Sequence, residues 1–221
     1  MTRSLFILVV LALGLTAAPG RALEVARVAP RPPPDGSYAE VFTAAAQLED
    51  GTYALAQLLF THAGIAGEKA LCRALVVPAL GDGSNEALTF GSDGWAYETA
   101  KNRLTVGPCT LQAGTEGALF HVKTEHLDIA MELSGPLTWV KPPGHKTTNA
   151  DGKMLDADLL APWAKVRADV TGSGPAVHAK GFATFDHSRS DALLPTVAQS
   201  FVRFRAYDGA DPVILLLRVP V

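Results

Sequence analysis

Several motifs that define common enzyme classes are missing from this sequence. It has no glycine-rich phosphate loop and no Gly-x-Ser-x-Gly nucleophile elbow, so nucleotide binding and serine hydrolysis have little support. It contains only two cysteines, and no CxxC or His-x3-His spacing accompanies them, which disfavours a metal site. The net charge is -3, with no block of one sign, so nothing favours nucleic-acid binding. We therefore expect no metal, no cofactor and no nucleic-acid partner.

Long apolar runs are scarce as well. The notable one lies at the N-terminus, and no later run is long enough to span a membrane. Arg3 precedes the apolar stretch Leu5 to Leu15, and small residues follow as far as Ala22. This order is typical of a secretory signal peptide, which we place at residues 1–22 with cleavage after Ala22 and with Ala18 as the second choice. An uncleaved membrane anchor is the alternative. We expect the mature protein to be periplasmic or secreted.

Export bears on the two cysteines, Cys72 and Cys109, because an oxidising compartment permits disulfides. Both residues lie in predicted strands. A bridge requires that their Cα atoms come within about 7 Å of each other, which the sequence alone does not show. The pair is therefore either a disulfide or two small buried thiols.

What the sequence does have is a hydrophobic period close to two, which begins at Tyr38. Runs of this period alternate with turn signals, and Glu49-Asp50-Gly51 is the strongest hairpin signal in the N-terminal half. Many short antiparallel strands joined in this way predict an all-β protein built as a barrel or a sandwich. The predicted strands are residues 39–48, 52–62, 69–77, 87–90, 95–100, 103–106, 109–113, 118–124, 127–133, 163–171, 176–185, 201–207 and 213–219.

The Pro/Gly-rich stretch from Lys141 to Gly152 has no apolar period and marks the predicted domain boundary. We assign residues 38–140 to one β unit and residues 153–221 to a second. The second unit has too few predicted strands to close a barrel alone. Its apolar segment Ile214 to Leu217 would then need cover, and an open strand edge there favours self-association.

Several segments between Ala39 and Leu216 follow one another in the same order as the corresponding segments of a known family. These segments are Val41 through Gly51, Tyr53 through Gly64, Gly94-Trp95-Ala96-Tyr97, Arg103 through Val106, Leu127 through Leu133 and Gly181 through Ser188. Together they resemble the lipocalin-like (calycin) family that includes the yeast survival-factor proteins, the AttH-like proteins and the carotenoid 1,2-hydratases. The resemblance implies an antiparallel lipocalin-like fold of two β units side by side.

The same resemblance carries expectations about function. Members of the family are associated with the binding of lipids such as ceramides, with hydration of carotenoid double bonds, and with pericyclic chemistry on polyketides. Relatives continue for several strands beyond the equivalent of Phe204, so we expect the second β unit to be incomplete in this chain.

Asp186 and His187 are the candidate catalytic residues. Hydration of an isolated double bond needs an acid that protonates it and a partner group that steadies the cation or activates water. In a dry barrel an aspartic acid can keep its proton near neutral pH, and the pKa of a histidine can be tuned across the same range. Adjacent residues of an extended strand point to opposite faces, so both line one pocket only if a bulge re-aims one of them. The alternative is that Asp186 caps the end of its strand and that His187 is half exposed.

Aromatic side chains are the candidate lining of a ligand cavity, because they combine apolar area with a polar group. An arginine supplies a partner for a carboxylate or phosphate head group. The predicted ligand-binding residues are Phe42, Phe60, Trp95, Tyr97, Trp139, Trp163 and Arg203. Core packing of the aromatic residues and surface salt bridging of the arginine are the alternatives.

Two main hypotheses about function follow, beside a third class, a structural or assembly protein that uses its open C-terminal strand edge. The first is an exported lipocalin-like protein that binds a hydrophobic small molecule or lipid in a β-barrel cavity, without chemistry. The alternative is a hydratase or pericyclase that acts on an isoprenoid or polyketide-like substrate, with Asp186 as the proton donor. The sequence leaves open whether the protein is an enzyme.

Overall fold

The structure is a computed structural model. It describes residues 27–31, 36–62, 67–137, 141, 145–172, 174–192, 194–197, 199–208 and 211–219. The predicted signal peptide, residues 1–22, lies outside these ranges. Within them, no helix combines the length and the apolar character needed to cross a membrane.

The described chain is built almost entirely from strands, joined mainly by short turns. A single helical turn, α1, spans Leu194–Val197, and a 3-10 turn spans Thr99–Lys101. The strands are β1 Tyr38–Leu48, β2 Tyr53–His62, β3 Glu68–Val77, β4 Ser84–Phe90, β5 Trp95–Glu98, β6 Arg103–Val106, β7 Cys109–Gly114, β8 Gly117–Lys123, β9 Asp128–Ser134, β10 Lys146–Thr148, β11 Met154–Thr171, β12 Val177–Ser190, β13 Ser200–Asp208 and β14 Asp211–Val219.

Eleven of these strands form one antiparallel sheet in the order β4-β3-β2-β1-β12-β11-β9-β8-β7-β6-β5. The short strand β10 pairs with β11 beside this path, and β13 and β14 form a separate two-stranded sheet. The large sheet curls into a nearly closed barrel that is consistent with a lipocalin-like fold. The prediction of an all-β antiparallel protein is confirmed.

Strands β11 and β12 bring the second half of the chain into this barrel. Strand β12 pairs with β1, and β11 pairs with β9, so the stretch between Lys141 and Gly152 does not separate two sheets. Among the strands in the described part of the chain, only the β13–β14 hairpin lies outside the large sheet. The polar stretch itself contains β10.

Two strand limits differ most from those predicted. Strand β11 begins at Met154 rather than at Trp163, because register shifts between Leu159 and Ala164 interrupt the alternation, and Pro162 lies inside this irregular stretch. Strand β12 continues to Ser190. Asp186 and His187 therefore lie inside a strand and not at its end.

The inner face of the barrel is filled by apolar side chains. Phe42, Phe60, Phe120 and Phe185 are all at most 1% exposed, and the rings of Phe120 and Phe185 meet edge to face at 5.0 Å between centroids. Side chains that are buried to this degree leave no space for a water molecule beside them. The centre of the barrel is thus a packed core.

Links between opposite walls close this core. Cys72 of β3 and Cys109 of β7 form a disulfide with their Cα atoms 6.3 Å apart, although β3 and β7 are not neighbours in the sheet. The indole N–H of Trp95 donates to Glu68 Oε1 at 3.0 Å. The Trp95 ring also contacts Phe60 at 5.1 Å.

Glu86 ties the edge strand β4 to the loop between β8 and β9. Its Oε2 accepts hydrogen bonds from Thr124 Oγ1 at 2.6 Å and from the His126 amide at 3.0 Å. The Thr124 hydroxyl first, and then the His126 amide, lower the pKa of the Glu86 carboxyl from its ordinary value. The ionised carboxylate therefore holds this edge strand in place.

Removal of the disulfide should destabilise the barrel. The bond closes a loop with a sequence separation of 37, and the loss of this constraint costs about 3 to 4 kcal/mol in the chain-entropy model. We expect the double variant Cys72→Ala with Cys109→Ala to unfold at correspondingly lower urea concentration than the oxidised protein. Reduced wild-type protein is the control and should resemble the variant. Equal stability of oxidised and reduced protein would contradict the cross-wall role of the bond.

Candidate functional site

Charged side chains replace apolar ones on the inner face at one end of β1, β12 and β11. The strand registers place Glu40 opposite Arg189, and Phe42 opposite His187. On the other side of β12, Asp156 lies opposite Arg189 and Asp158 lies opposite His187. These cross-strand rows share the face that carries Phe42 and Phe185 farther into the barrel.

A histidine–glutamate pair, of which the glutamate is buried, lies at the centre of this group. His187 Nε2 and Glu40 Oε1 are 2.6 Å apart, and Glu40 is only 2% exposed. The second carboxylate oxygen of Glu40 accepts a hydrogen bond from the Arg31 amide at 2.9 Å. The His187 ring stacks on Phe42 with centroids 4.6 Å apart. Both side chains of the pair are therefore fixed in place.

The two aspartates beside this pair have charged neighbours but incomplete hydrogen bonding. Lys141 Nζ lies 3.4 Å from Asp158 Oδ1, and His145 Nε2 lies 4.0 Å from Asp156 Oδ1. Neither Oδ1 atom makes a hydrogen bond, although both are buried. The lysine contact is thus an ion pair without hydrogen-bond geometry, and both oxygens can accept a bond from another molecule.

These residues border a cleft of about 450 Å³, which we call the end cleft. This volume lies within the usual range for small-molecule sites. No group of three or more potential metal-ligating side chains occurs among the residues that the structure describes. The end cleft is lined by Arg27, Ala29, Arg31, Glu40, Lys141, Met154, Asp156, Asp158, His187 and Arg189.

The structure does not bring Asp186 and His187 to one site. His187 points to the inner face and borders the end cleft, whereas Asp186 lies opposite Thr43 on the outer face and is 1% exposed. The pairing of β12 with β1 continues through both residues without a bulge. The alternation of an extended strand therefore separates the two predicted catalytic residues.

The predicted ligand-binding residues are also dispersed. Phe42 adjoins the end cleft through His187, while Phe60 and Trp95 contact each other in the core. The Tyr97 hydroxyl donates to Asn102 Oδ1 at 2.8 Å. Trp163 stacks on Phe182 with centroids 5.0 Å apart.

Two members of that set have no described side chain. Trp139 lies outside the described residues. Arg203 lies in β13, where its backbone position is opposite Leu216 of β14.

Glu40, Asp156 and Asp158 were not predicted as site residues. Glu40 did carry a signal, because it occupies an inward position between Tyr38 and Phe42 of an alternating strand. A carboxylate at such a position needs a partner. The two aspartates were missed because they lie in the part of β11 before the register shifts, which was not predicted to be a strand.

Comparisons with known proteins define the fold of the chain. No protein-family model matches it, and no curated protein matches it. Among solved structures, the AttH-like protein NE1406 from Nitrosomonas europaea superposes with a TM-score of 0.56 at 14% identity, over 80% of this chain and 58% of that one. Kievitone hydratase from Nectria haematococca superposes with a TM-score of 0.53 at 10% identity, over 77% and 52%. The chain therefore has the fold of these proteins and spans just over half of their length.

Truncation of Glu40 should destabilise the protein because it leaves His187 and the Arg31 amide without their buried partner. We expect Glu40→Ala to lower the free energy of unfolding by about 1 to 3 kcal/mol, as measured by urea denaturation. Glu40→Gln keeps a hydrogen-bonding group and should cost less. Glu132→Ala, at an exposed position of β9, is the control and should change the stability by less than about 0.5 kcal/mol. If Glu40→Ala were as mild as the control, the pair would not be a structural anchor.

Proposed function

We propose that this chain is an exported lipocalin-like protein that binds a hydrophobic small molecule or lipid and holds its polar head group in the end cleft. The main support is the pair of buried, hydrogen-bond-deficient oxygens of Asp156 and Asp158 beside the His187–Glu40 pair. Buried carboxylate oxygens without donors favour a ligand that brings hydrogen-bond donors. A hydroxyl-bearing head group meets this need.

The packed core determines where such a ligand fits. The centre of the barrel is filled by Phe42, Phe60, Phe120 and Phe185. A ligand therefore fits at the end of the barrel and not at its centre. Met154 and Ala29 give the cleft apolar wall. The aliphatic stems of the lining arginines add apolar surface while their charged ends remain in water.

The aspartates should decide the preference for head groups. We expect octan-1-ol to bind more tightly than octanoate in isothermal titration calorimetry, because a hydroxyl donates a hydrogen bond to Asp156 or Asp158 whereas a carboxylate has no proton to donate. Asp158→Asn should weaken octan-1-ol binding by about tenfold or more, as expected for a hydrogen bond to a charged group. Asp169→Asn, which alters an exposed aspartate paired with His178 at 2.6 Å, should have no effect. Tighter binding of octanoate, or equal effects of both variants, would refute this assignment.

A hydratase is the alternative function, and the geometry of the His187–Glu40 pair favours it as a second candidate. A carboxylate at 2.6 Å from an imidazole can orient the ring, which suits general acid or base catalysis. Kievitone hydratase, one of the proteins with the same fold, is by its name a hydratase. In this alternative the proton donor is His187, because Asp186 does not reach the end cleft.

Kievitone is a suitable first probe for this alternative. If the chain is a hydratase of such molecules, incubation should produce a compound heavier by one water molecule, detected by mass spectrometry. His187→Asn should slow the reaction by at least about a hundredfold, while His178→Asn on the outer face should leave the rate unchanged. Recovery of unaltered kievitone would exclude this substrate, and a His187→Asn variant with full activity would exclude His187 as the proton donor.

A further inference from the structure

A stretch of the outer face of β1 and β12 is buried. Thr43, Thr184 and Asp186 point outward and are at most 2% exposed. Farther along the same strands, Gln47 and Lys180 point the same way and are exposed. Two elements outside the barrel, β14 and α1, contact the neighbouring strand β11. This end of the outer face is therefore covered.

Two polar groups at this covered stretch have no hydrogen-bond partner. They are the hydroxyl of Thr184, a residue that is 0% exposed, and the indole N–H of Trp163, whose nitrogen is also buried. The register places Phe185 opposite Ala161 and Ala183 opposite Ala164. Trp163 therefore lies in the irregular stretch of β11 that faces Thr184.

Aromatic surface lies next to these two groups. Phe182, Thr184 and Asp186 alternate along β12 and so share its outer face. The Trp163 ring stacks on Phe182, with an angle of 29° between the ring planes. The Trp163 indole thus lies on the same face as Thr184, with its polar edge buried.

We propose that Trp163, Phe182 and Thr184 form a second ligand site, the outer site, which binds an apolar molecule through a carbonyl oxygen. The indole N–H is a donor only, and the threonine hydroxyl can donate as well. One carbonyl oxygen has two lone pairs and accepts from both groups. A neutral carbonyl is preferred over a carboxylate because Asp186 borders the site with its own carboxyl group. The aromatic pair supplies the surface for an aromatic or aliphatic body.

The first test uses the protein without a ligand. An unsatisfied buried hydroxyl is costly, and its replacement by an apolar group of the same shape is neutral or stabilising. Thr184→Val should therefore keep or raise the melting temperature. Thr43→Val is the matched control on the same face, since Thr43 Oγ1 accepts a hydrogen bond from Gln57 Nε2 at 3.0 Å, and it should lower the melting temperature. A drop with Thr184→Val as large as that with Thr43→Val would overturn the proposal, because it would show that the Thr184 hydroxyl is satisfied within the protein.

The second test uses a pair of probes that differ only in the carbonyl group. Benzophenone should bind about tenfold more tightly than diphenylmethane, the gain expected for one or two buried hydrogen bonds. Thr184→Val should reduce this preference while leaving diphenylmethane binding unchanged, and Trp163→Phe should reduce it as well. Protein-observed NMR should place the benzophenone shifts at residues 163 and 182–186.

The outcomes that overturn the proposal are distinct from those that concern the end cleft. Equal binding of the two probes, or no binding of benzophenone, would reject the outer site. The same holds if benzophenone binding is lost in Asp158→Asn and kept in Thr184→Val, since the probe would then occupy the end cleft. The end cleft itself is tested with octan-1-ol, whose binding Thr184→Val should not change.

Discussion

The register between β1 and β12 is the constraint on which the rest of the structure depends. It joins the C-terminal strands to the N-terminal meander and sets which side chains face inward. A slip by one residue would turn every side chain of β12 to the opposite face. Gly181 is needed at one end of this pairing, because a Cβ atom there would lie 2.1 Å from the carbonyl oxygen of Gln47. At the other end, the His187–Glu40 pair connects the same two strands.

The packed centre of the barrel leaves no place for ionisable side chains, which lie at one end instead. Phenylalanines from several strands fill the middle, and the Cys72–Cys109 bond ties two opposite walls together. Polar groups in such a core would be costly without partners. The ionisable side chains gather instead where the inner face ends, and there the walls leave a cleft. A lipocalin-like fold in this chain thus carries its candidate site at an opening of the barrel.

Strand β12 serves both candidate sites because its side chains alternate. Its odd-numbered residues contribute His187 and Arg189 to the end cleft, and its even-numbered residues contribute Phe182 and Thr184 to the outer site. The irregular stretch of β11 beside β12 affects both the end cleft and the outer site. Before it, Asp156 and Asp158 face the end cleft, and within it Trp163 faces the outer side. The bulge therefore determines which candidate ligand-binding groups each face receives.

The sequence by itself determined the all-β class and most strand limits, since alternation and turn residues are local signals. The hairpin at Glu49-Asp50-Gly51 is an example, for β1 and β2 pair directly across it. Alternation also predicted that Asp186 and His187 would point apart. Only the tertiary structure decided that β12 lies beside β1, that Glu40 meets His187 across 147 residues of sequence, and that the irregular β11 begins at Met154. The physical reason is that strand pairing joins residues distant in the chain, and no local period specifies which strands become neighbours.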